Sequence, residues 1–537
     1  MQVVHIKNQN GKRHNKAKAI NIMDSSSNTA SSFSSPRKYA AKEAFVTGHD
    51  GTNNPIEIFI LCLAIPIGFR LHSKLITTLL PLRGTSTNYW IEAVIEFATL
   101  ILPNLILQTS LLPYLVGPIV LLAAMTILSF IIPTNIVRSS IKNSSSSSSQ
   151  TQINNKRPPF LTVHRAAVYI QTAIAILAVD FPIFPRRYCK TEVSGYGWMD
   201  LGAASFIIIA GWSSAAVATN ATSFCSSTAA SDSKSSAVAA LKKAVIKCTP
   251  LVILGIIRLI TIKGVEYQEH VSEYGVHWNF FFTLCCVEGC MVLWKFVKLT
   301  TRQQKYWTDA SLACQLLINY QLYLSLGGGQ DFIENGSRYC GHNKWLCNAY
   351  VANREGILGI IGYLGLRLMS ESMARYCIWI TTTKVVGEES KSSSMMAATD
   401  LHSLRQRRLF ISSVFCWIAH FFLTFVSDVP NSRRSTNVSF ITWSLAQNTS
   451  QLCLIHFVMT RENSLDTAPR ILNCINRFGL PVFFVSNILT GLVNLLVDTM
   501  HSSNEKALFV LSIYLGAVCG LALVLDKIKN MHLARTG

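Results

Sequence analysis

Residues 507–526 read ALFVLSIYLGAVCGLALVLD, and their single charge lies at the last position. About 20 apolar residues are enough to cross the hydrocarbon core of a bilayer as a helix. The sequence predicts an all-α polytopic membrane protein of about thirteen transmembrane helices, because similar apolar runs occur along most of the chain. The runs fall at roughly 55–72, 90–107, 111–133, 162–181, 199–219, 245–263, 276–297, 309–326, 356–374, 408–427, 437–459, 480–499 and 507–526.

The composition favours one membrane domain and leaves little room for a soluble one. Of the 537 residues, 50% are hydrophobic and 14% are charged, whereas an average soluble protein is about 25% charged. The longest polar stretch is at the N-terminus. We therefore expect a disordered tail over residues 1–54, a membrane domain over residues 55–527, and a short basic tail over residues 528–537.

The net charge of +20 indicates how the helices are oriented. The basic residues are scattered among short loops without a concentrated patch, so nucleic acid is not expected as a partner. Loops rich in Lys and Arg alternate with sparser loops, and the basic set is expected to be cytosolic. This places the C-terminus in the cytosol and the N-terminus on the far side, although the basic N-terminal tail argues the other way.

The first candidate segment is DFPIFPRRYCK, residues 180–190, at the end of a predicted helix. A carboxylate beside hydrocarbon is costly unless it is paired or used, which makes Asp180 a candidate acid or base. Arg186, Arg187 and Lys190 are candidates to stabilise an anion close by. A helix-terminating network of ion pairs explains the same residues equally well, and both interpretations stay open.

The second candidate segment is GVEYQEHVSEYGVHWN, residues 264–279, in a loop on the same predicted side of the membrane. Carboxylates, histidines and aromatic rings are dense there, which favours a functional site. Aromatic residues at a membrane interface are commonly belt residues, so the rings alone indicate little. The candidate substrate-binding residues in this loop are Tyr267, Glu269, His270, Tyr274, His277 and Asn279.

Two further groups are weaker candidates for substrate binding. Arg433 and Arg434, followed by Asn437, suit a phosphate or carboxylate, although interfacial arginines also simply extend toward water. Three amides, Asn448, Asn487 and Asn494, lie in apolar runs. Such amides most often form hydrogen bonds between helices, and the alternative is a polar-lined cavity for a lipid headgroup.

Several familiar sites are missing from the sequence. The 15 cysteines form no CxxC pair and no Cys/His spacing typical of zinc, so no metal is expected. Walker A, GxSxG, HExxH and His-x4-Asp patterns are absent as well. His420 and His456 are lone histidines in apolar runs, where packing is the more common role. Cys340 and Cys347 are placed to form a disulfide on the sparse side.

Taken together, these segments resemble the inositol acyltransferases of glycosylphosphatidylinositol (GPI) anchor biosynthesis, the GPI-anchored wall transfer/phosphatidylinositol-glycan class W family. The resemblance covers about residue 42 to the C-terminus, and the segments around Asp180 and His270 are its most specific parts. The matching residues are 42–48, 51–52, 176–187, 190–192, 197, 199–202, 267–279, 353–356, 433–434, 437, 487 and 490–494.

The resemblance implies a thirteen-helix protein of the endoplasmic reticulum membrane. It implies transfer of a long acyl group, typically palmitoyl, from acyl-CoA to the inositol ring of glucosaminyl-phosphatidylinositol. Family members need Asp180 and Lys190 at these motif positions, and no cofactor is implied beyond acyl-CoA as co-substrate. Two rival readings of the sequence are a transporter or flippase for a lipid or polar solute, and a structural subunit of an anchor-synthesis complex.

Overall fold

The computed structural model describes residues 42–79, 86–111, 113–133, 157–225, 242, 245–246, 248–260, 271–300, 306–380, 393–464 and 467–536. Within these ranges the regular elements are helices, and β-pairing is limited to two isolated bridges. The principal helices are α1 (Pro55–Cys62), α2 (Ala64–Leu79), α3 (Ser86–Glu96), α4 (Leu102–Leu107), α5 (Val116–Ile131), α6 (Pro159–Ala178), α7 (Trp198–Cys225), α8 (Cys248–Ile260), α9 (Val271–Tyr274), α10 (Phe280–Thr300), α11 (Tyr306–Leu326), α12 (Gly329–Asn335), α13 (Trp345–Ala352), α14 (Arg354–Cys377), α15 (Ser393–Phe421), α16 (Val438–Arg461), α17 (Arg470–Arg477), α18 (Gly479–Leu496) and α19 (Asn504–Thr536).

Eight helical segments of the described chain are long and apolar enough to cross a membrane, which makes this a multi-pass membrane protein. The predicted all-helical class is confirmed, and the predicted count of about thirteen transmembrane helices stays a prediction beside the eight candidate spans of the described residues. Helices α5 and α8 are apolar but shorter. The eight spans are Pro55–Leu79, Tyr89–Leu107, Pro159–Ala178, Phe280–Lys298, Arg354–Cys377, Asp400–Val426, Gly479–Leu496 and Asn504–His532.

Helix α16 lies in the middle of the bundle, where it packs against α1, α2, α6, α7, α14 and α15. Several of its buried polar side chains form hydrogen bonds to neighbouring helices. The amides of Gln447 and Gln451 donate to the carbonyls of Pro55 and Cys62, at 3.0 and 3.1 Å. Buried amides must find such partners in a bilayer, so α16 is held at a fixed depth relative to α1.

Three loops meet at one end of the bundle. Thr52 and Tyr196 exchange backbone hydrogen bonds of 2.9 and 3.0 Å, and the amide of Gly195 donates to the carbonyl of Asn431 at 2.8 Å. The hydroxyl of Ser432 donates to the carbonyl of Val193 at 2.7 Å. Residues 43–54, which the sequence assigned to the N-terminal tail, therefore pair with the loop that follows α6. At the other terminus, α19 continues past the predicted boundary at residue 527.

Candidate functional site

A cavity of about 720 Å³ opens between α6, α7, α8, α18 and the start of α10. This volume lies within the usual range for a small-molecule site, about 300–1,000 Å³. Most of its lining is aliphatic or aromatic, and its charged lining residues are Lys190, Arg258, Glu273 and Arg433. The cavity therefore combines an apolar body with a cationic end, which suits a molecule that has a hydrocarbon chain and an anionic headgroup.

The charged side chains at the cavity form a continuous chain of ion pairs. Lys190 Nζ lies 2.7 Å from Glu273 Oε2, and Glu273 Oε1 lies 2.9 Å from Arg433 Nη1. Arg433 Nε is 2.7 Å from the carboxylate of Asp200. Asp200 also accepts hydrogen bonds from the hydroxyl of Thr191, at 2.9 Å, and from the amide of Gly197, at 3.1 Å. The ion pair between Lys190 and Glu273 joins the two candidate loops, which the sequence predicted to lie on the same side of the membrane.

Electrostatics keep Arg433 charged despite its burial. Burial lowers its pKa, but the carboxylates of Glu273 and Asp200 outweigh that effect, and the net result is a pKa above the ordinary arginine value. Burial also raises the pKa of Tyr274, which lines the cavity with the Arg433 guanidinium 5.9 Å from the centre of its ring. Tyr274 is therefore a neutral hydrogen-bonding group at physiological pH, not a base.

Asp180 lies at the end of α6, where Pro182 and Pro185 stop the helix. Its side chain is buried and accepts a hydrogen bond of 2.8 Å from the amide of Asn494. The amide oxygen of Asn494 accepts in turn from the hydroxyl of Thr499, at 3.2 Å. Asp180 and Lys190 are thus positioned by different partners, one on α18 and the other on α9. Lys190 lines the cavity, whereas Asp180 is not among the lining residues.

Arg186 and Arg187 lie outside the cavity lining and have other partners. The Arg186 guanidinium donates to the carbonyls of Val179, at 2.9 Å, and Phe181, at 2.7 Å, and so caps the C-terminal end of α6. Arg187 forms an ion pair of 2.6 Å with Glu57. Both contacts stabilise the turn after α6, and the proposed contact of these arginines with phosphate stays a prediction.

The second candidate loop is described only from residue 271 onward. The predicted substrate-binding residues Tyr267, Glu269 and His270 lie outside the described residues. His277 is exposed, and its backbone amide donates to the side chain of Asn353 at 2.7 Å. Asn279 lines the cavity, caps the start of α10, and donates to the carbonyl of Gly255 at 3.0 Å. Asn279 therefore ties α10 to α8 at the wall of the cavity.

The predicted pair of arginines separates in space. Arg433 faces the cavity, whereas Arg434 bonds to the carbonyl of Ile333, at 3.1 Å, and forms an ion pair of 3.2 Å with Glu355. Asn437 is the N-cap of α16, since its side-chain oxygen accepts from an amide of the first turn at 3.0 Å. Of these three residues, Arg433 is the one that lines the cavity.

The three intramembrane amides also differ in position. Asn487 lines the cavity, and its amide donates within its own helix to the carbonyl of Phe483, at 2.7 Å. Asn448 donates to the hydroxyl of Ser205, at 2.9 Å, and Ser205 itself lines the cavity. Asn494 holds Asp180, as described above. The two amides beside the cavity and the amide bound to Asp180 connect α16 and α18 to the site.

The lone histidine His420 and the two cysteines Cys340 and Cys347 could take part in other chemistry, but each has a structural partner. The ring nitrogens of His420 lie 2.8 Å from the hydroxyl of Tyr196 and 3.1 Å from the carbonyl of Ser439, as expected for a packing histidine. Cys340 and Cys347 form a disulfide, as the sequence suggested. No cluster of three or more His, Cys, Asp or Glu side chains suited to a metal occurs among the described residues.

Three charged residues of the site were not among the sequence candidates. Glu273 lay inside the quoted segment 264–279 and Asp200 inside the matching range 199–202, but their pairing with Arg433 depends on contacts between distant parts of the chain. Arg258 carried a local signal, because it is the one charge in the apolar stretch 248–260. An ionisable residue inside a membrane segment is by default a candidate for function.

Comparison with known proteins gives consistent matches over most of the chain. Residues 38–525 match the GWT1 family. A GPI-anchored wall transfer protein 1 of Yarrowia lipolytica is 31% identical over 388 residues, which cover 70% of this chain and 73% of the relative. The protein of the same name in Aspergillus fumigatus is 34% identical, with 68% and 72% covered. The one in Candida albicans is 31% identical, with 70% and 75% covered.

Proposed function

The chain belongs to the GWT1 family, and on this premise we propose that it acts in GPI-anchor biosynthesis as an acyl-CoA-dependent inositol O-acyltransferase. The reaction moves a long-chain acyl group, palmitoyl in the first instance, from acyl-CoA to the inositol ring of glucosaminyl-phosphatidylinositol. The observation that carries this proposal is the cavity with an apolar body and a charged end. The body suits the acyl chain, and the charged end suits a phosphate-bearing headgroup.

The cations of the cavity suit this pair of substrates. Lys190, Arg258 and Arg433 line it together with a single carboxylate, that of Glu273. Both acyl-CoA and the inositol phospholipid carry phosphate, and arginine binds phosphate oxygens with two parallel hydrogen bonds. Arg258 and Arg433 therefore take the phosphate-binding role in the proposal, in addition to Arg186 and Arg187.

The proposed mechanism is direct transfer without an acyl-enzyme. Asp180 accepts the proton of an inositol hydroxyl, whose oxygen attacks the thioester carbon. Lys190 stabilises the negative charge that develops on the thioester oxygen. The carbon–sulfur bond then breaks, an ester bond to inositol remains, and the proton passes to the CoA sulfur, which leaves as a thiol. The hydrogen bond from Asn494 supports this role, because it fixes the position of the Asp180 carboxyl group.

The proposed setting is the endoplasmic reticulum membrane. In this proposal the chain has thirteen transmembrane helices, an odd number, so that the N-terminus lies in the lumen and the C-terminus in the cytosol, with the charged end of the cavity toward the lumen. The distribution of Lys and Arg among the loops supports this orientation. Attachment of tags that report the side of the membrane to each terminus tests it directly.

A reconstituted assay tests the proposed activity. The purified full chain in lipid vesicles receives acyl-CoA and glucosaminyl-phosphatidylinositol, and mass spectrometry follows the glycolipid. We expect one added acyl group, and about a 10²–10⁴-fold loss of rate in Asp180→Asn and Lys190→Ala, the usual range when an acid–base group is removed. Asp498→Asn and Lys506→Ala are matched controls at exposed positions outside the cavity. A glycolipid that stays unmodified would overturn the proposal and favour a transporter or flippase.

A further inference from the structure

Three aromatic rings join three of the helices that surround the cavity. The rings of Tyr169 on α6 and Phe206 on α7 have centroids 5.2 Å apart, and those of Phe206 and Phe483 on α18 are 5.4 Å apart. Phe206 and Phe483 line the cavity. Edge-to-face rings at such distances attract each other, so the three rings form a fixed wall between the helices.

The depth of this wall follows from the rise of an α-helix, about 1.5 Å per residue. Trp198, Val179 and Leu495 line the cavity near its charged end. Measured along their helices, Phe206 lies about 12 Å below Trp198, Tyr169 about 15 Å below Val179, and Phe483 about 18 Å below Leu495. The three helices therefore place their rings at similar distances from the charged end.

Small residues line the passage between the charged end and the rings, among them Ala175, Gly202 and Gly491. A side chain added at Gly491 would meet no atom within 4 Å, so this glycine faces open space. Behind the rings the helices close up, because the ring of Tyr169 leaves no room for a side chain at Gly479. The passage is thus open beside Gly491, whereas α6 and α18 pack tightly against each other at Gly479, and Val168 and Leu480 line the cavity just beyond the rings.

From this geometry we propose that the ring wall of Tyr169, Phe206 and Phe483 measures the length of the acyl chain. The proposal rests on the proposed function, in which the thioester lies at Lys190. The chain then extends from the thioester carbon along the small-residue passage, and its methyl end meets the rings. A longer chain holds its thioester away from Lys190 and reacts more slowly.

The geometry favours the chain of the acyl donor over a tail of the glycolipid. In the proposed reaction the carbonyl carbon reacts beside Lys190, and the donor chain is bonded directly to that carbon. The tails of the glycolipid are joined to the reacting hydroxyl only through inositol, phosphate and glycerol. The chain that starts at Lys190 and enters the adjoining cavity is therefore the donor chain.

A competition assay tests the proposal. The purified full chain receives equal amounts of myristoyl-, palmitoyl-, stearoyl- and arachidoyl-CoA with glucosaminyl-phosphatidylinositol, and mass spectrometry reports which chains are transferred. Each methylene that a hydrophobic pocket accepts or refuses changes relative rates by about 10-fold or more. Phe483→Ala should raise the ratio of longer to shorter products by about 10-fold, and Gly491→Leu should lower it by a similar factor.

Gly520→Leu is the matched control, since a side chain there also meets nothing within 4 Å and Gly520 does not line the cavity. Phe483→Leu serves as a milder variant if Phe483→Ala folds poorly. If active variants give unchanged product ratios, or if both variants shift the ratio in the same direction, the rings do not select chain length, and the proposed function is unaffected. If the variants instead change which glycolipid tails are used, the cavity holds a tail of the glycolipid and not the acyl chain of the donor. An unaltered protein that transfers no chain would contradict the proposed function itself.

Discussion

Two clusters of buried charges differ in one respect that matters for function. At the cavity, Lys190 and Glu273 keep 26% and 12% of their side chains exposed while they pair with each other. Between α10, α11 and α14, Glu371 lies 2.9 Å from Arg367 and 2.7 Å from Arg375, and its own side chain is fully buried. Neither Arg367 nor Glu371 lines the cavity. Burial of charge is common to both clusters, and access to a cavity separates the candidate site from the structural network.

The largest expected effect concerns the fully buried cluster. Glu371→Gln removes a fully buried carboxylate that pairs with both Arg367 and Arg375. Glu288 and Asp309 still pair with these arginines, and the loss of one charge from such a buried network costs up to about 3–5 kcal/mol of stability. We expect a strongly lowered unfolding temperature in detergent and an unchanged rate per folded molecule. Asp526→Asn is the matched control, because it breaks a partly exposed ion pair with Arg477 and should cost less than about 1 kcal/mol. Equal losses in both variants would show that the buried cluster contributes no more stability than a partly exposed ion pair.

The cavity cluster should respond in the opposite way. Glu273→Gln removes the charge that holds Lys190, while Arg433 keeps its ion pair with Asp200. We expect about a 10–100-fold lower kcat, since misplacement of a catalytic group can cost about 10²-fold, and a small change in stability. Glu273→Asp keeps a carboxylate beside Lys190, so it should restore part of kcat and bring the pH dependence of kcat closer to that of the unaltered protein than Glu273→Gln does. A variant that unfolds readily but keeps its kcat would place Glu273 with the structural network.

Some features of the fold could be predicted from the sequence, and others depend on contacts between distant parts of the chain. The apolar runs predicted an all-helical membrane protein, because hydrophobic length is a local property of the chain. The polar face of α16 was harder to interpret, since Gln447 and Gln451 bond to helices far away in sequence. A run that carries such residues is less apolar on average, although these two glutamine side chains have hydrogen-bond partners inside the bundle.

For the candidate site, the sequence identified the loops but not the partner of each charged residue. The density of charges identified the loops of Lys190 and Tyr274, and the structure brings these loops together. Local sequence did not distinguish Arg186 and Arg187, which bind carbonyls and Glu57, from Arg433, which faces the cavity. Neighbouring arginines look alike in sequence, and the partner that each finds depends on long-range packing.

A smaller effect separates a helix cap from a substrate-binding residue. Asn437 was predicted to bind substrate, yet it caps α16. Asn437→Ala should cost about 0.5–2 kcal/mol of stability, the usual range for an N-cap, and Asn437→Ser should restore most of it. Thermal unfolding measures both variants. A raised KM in Asn437→Ser at normal stability would support the substrate-binding prediction instead.

The smallest expected effect concerns Cys189, the thiol next to Lys190. Burial raises its pKa to about 11, so the thiolate that an acyl-enzyme would need is scarce at neutral pH. Cys189→Ala should therefore keep its rate within about twofold, because direct transfer does not use this thiol. Since the folded protein holds this proton more tightly than the unfolded chain, the stability that it contributes is complete below about pH 9 and is lost as pH rises through about 11. Cys189→Ala should flatten that alkaline loss in a series of unfolding curves. An acyl group trapped on Cys189 would instead indicate a two-step mechanism, in which the acyl group first moves to Cys189 and then to inositol. Both steps would then take place beside the partly exposed Lys190.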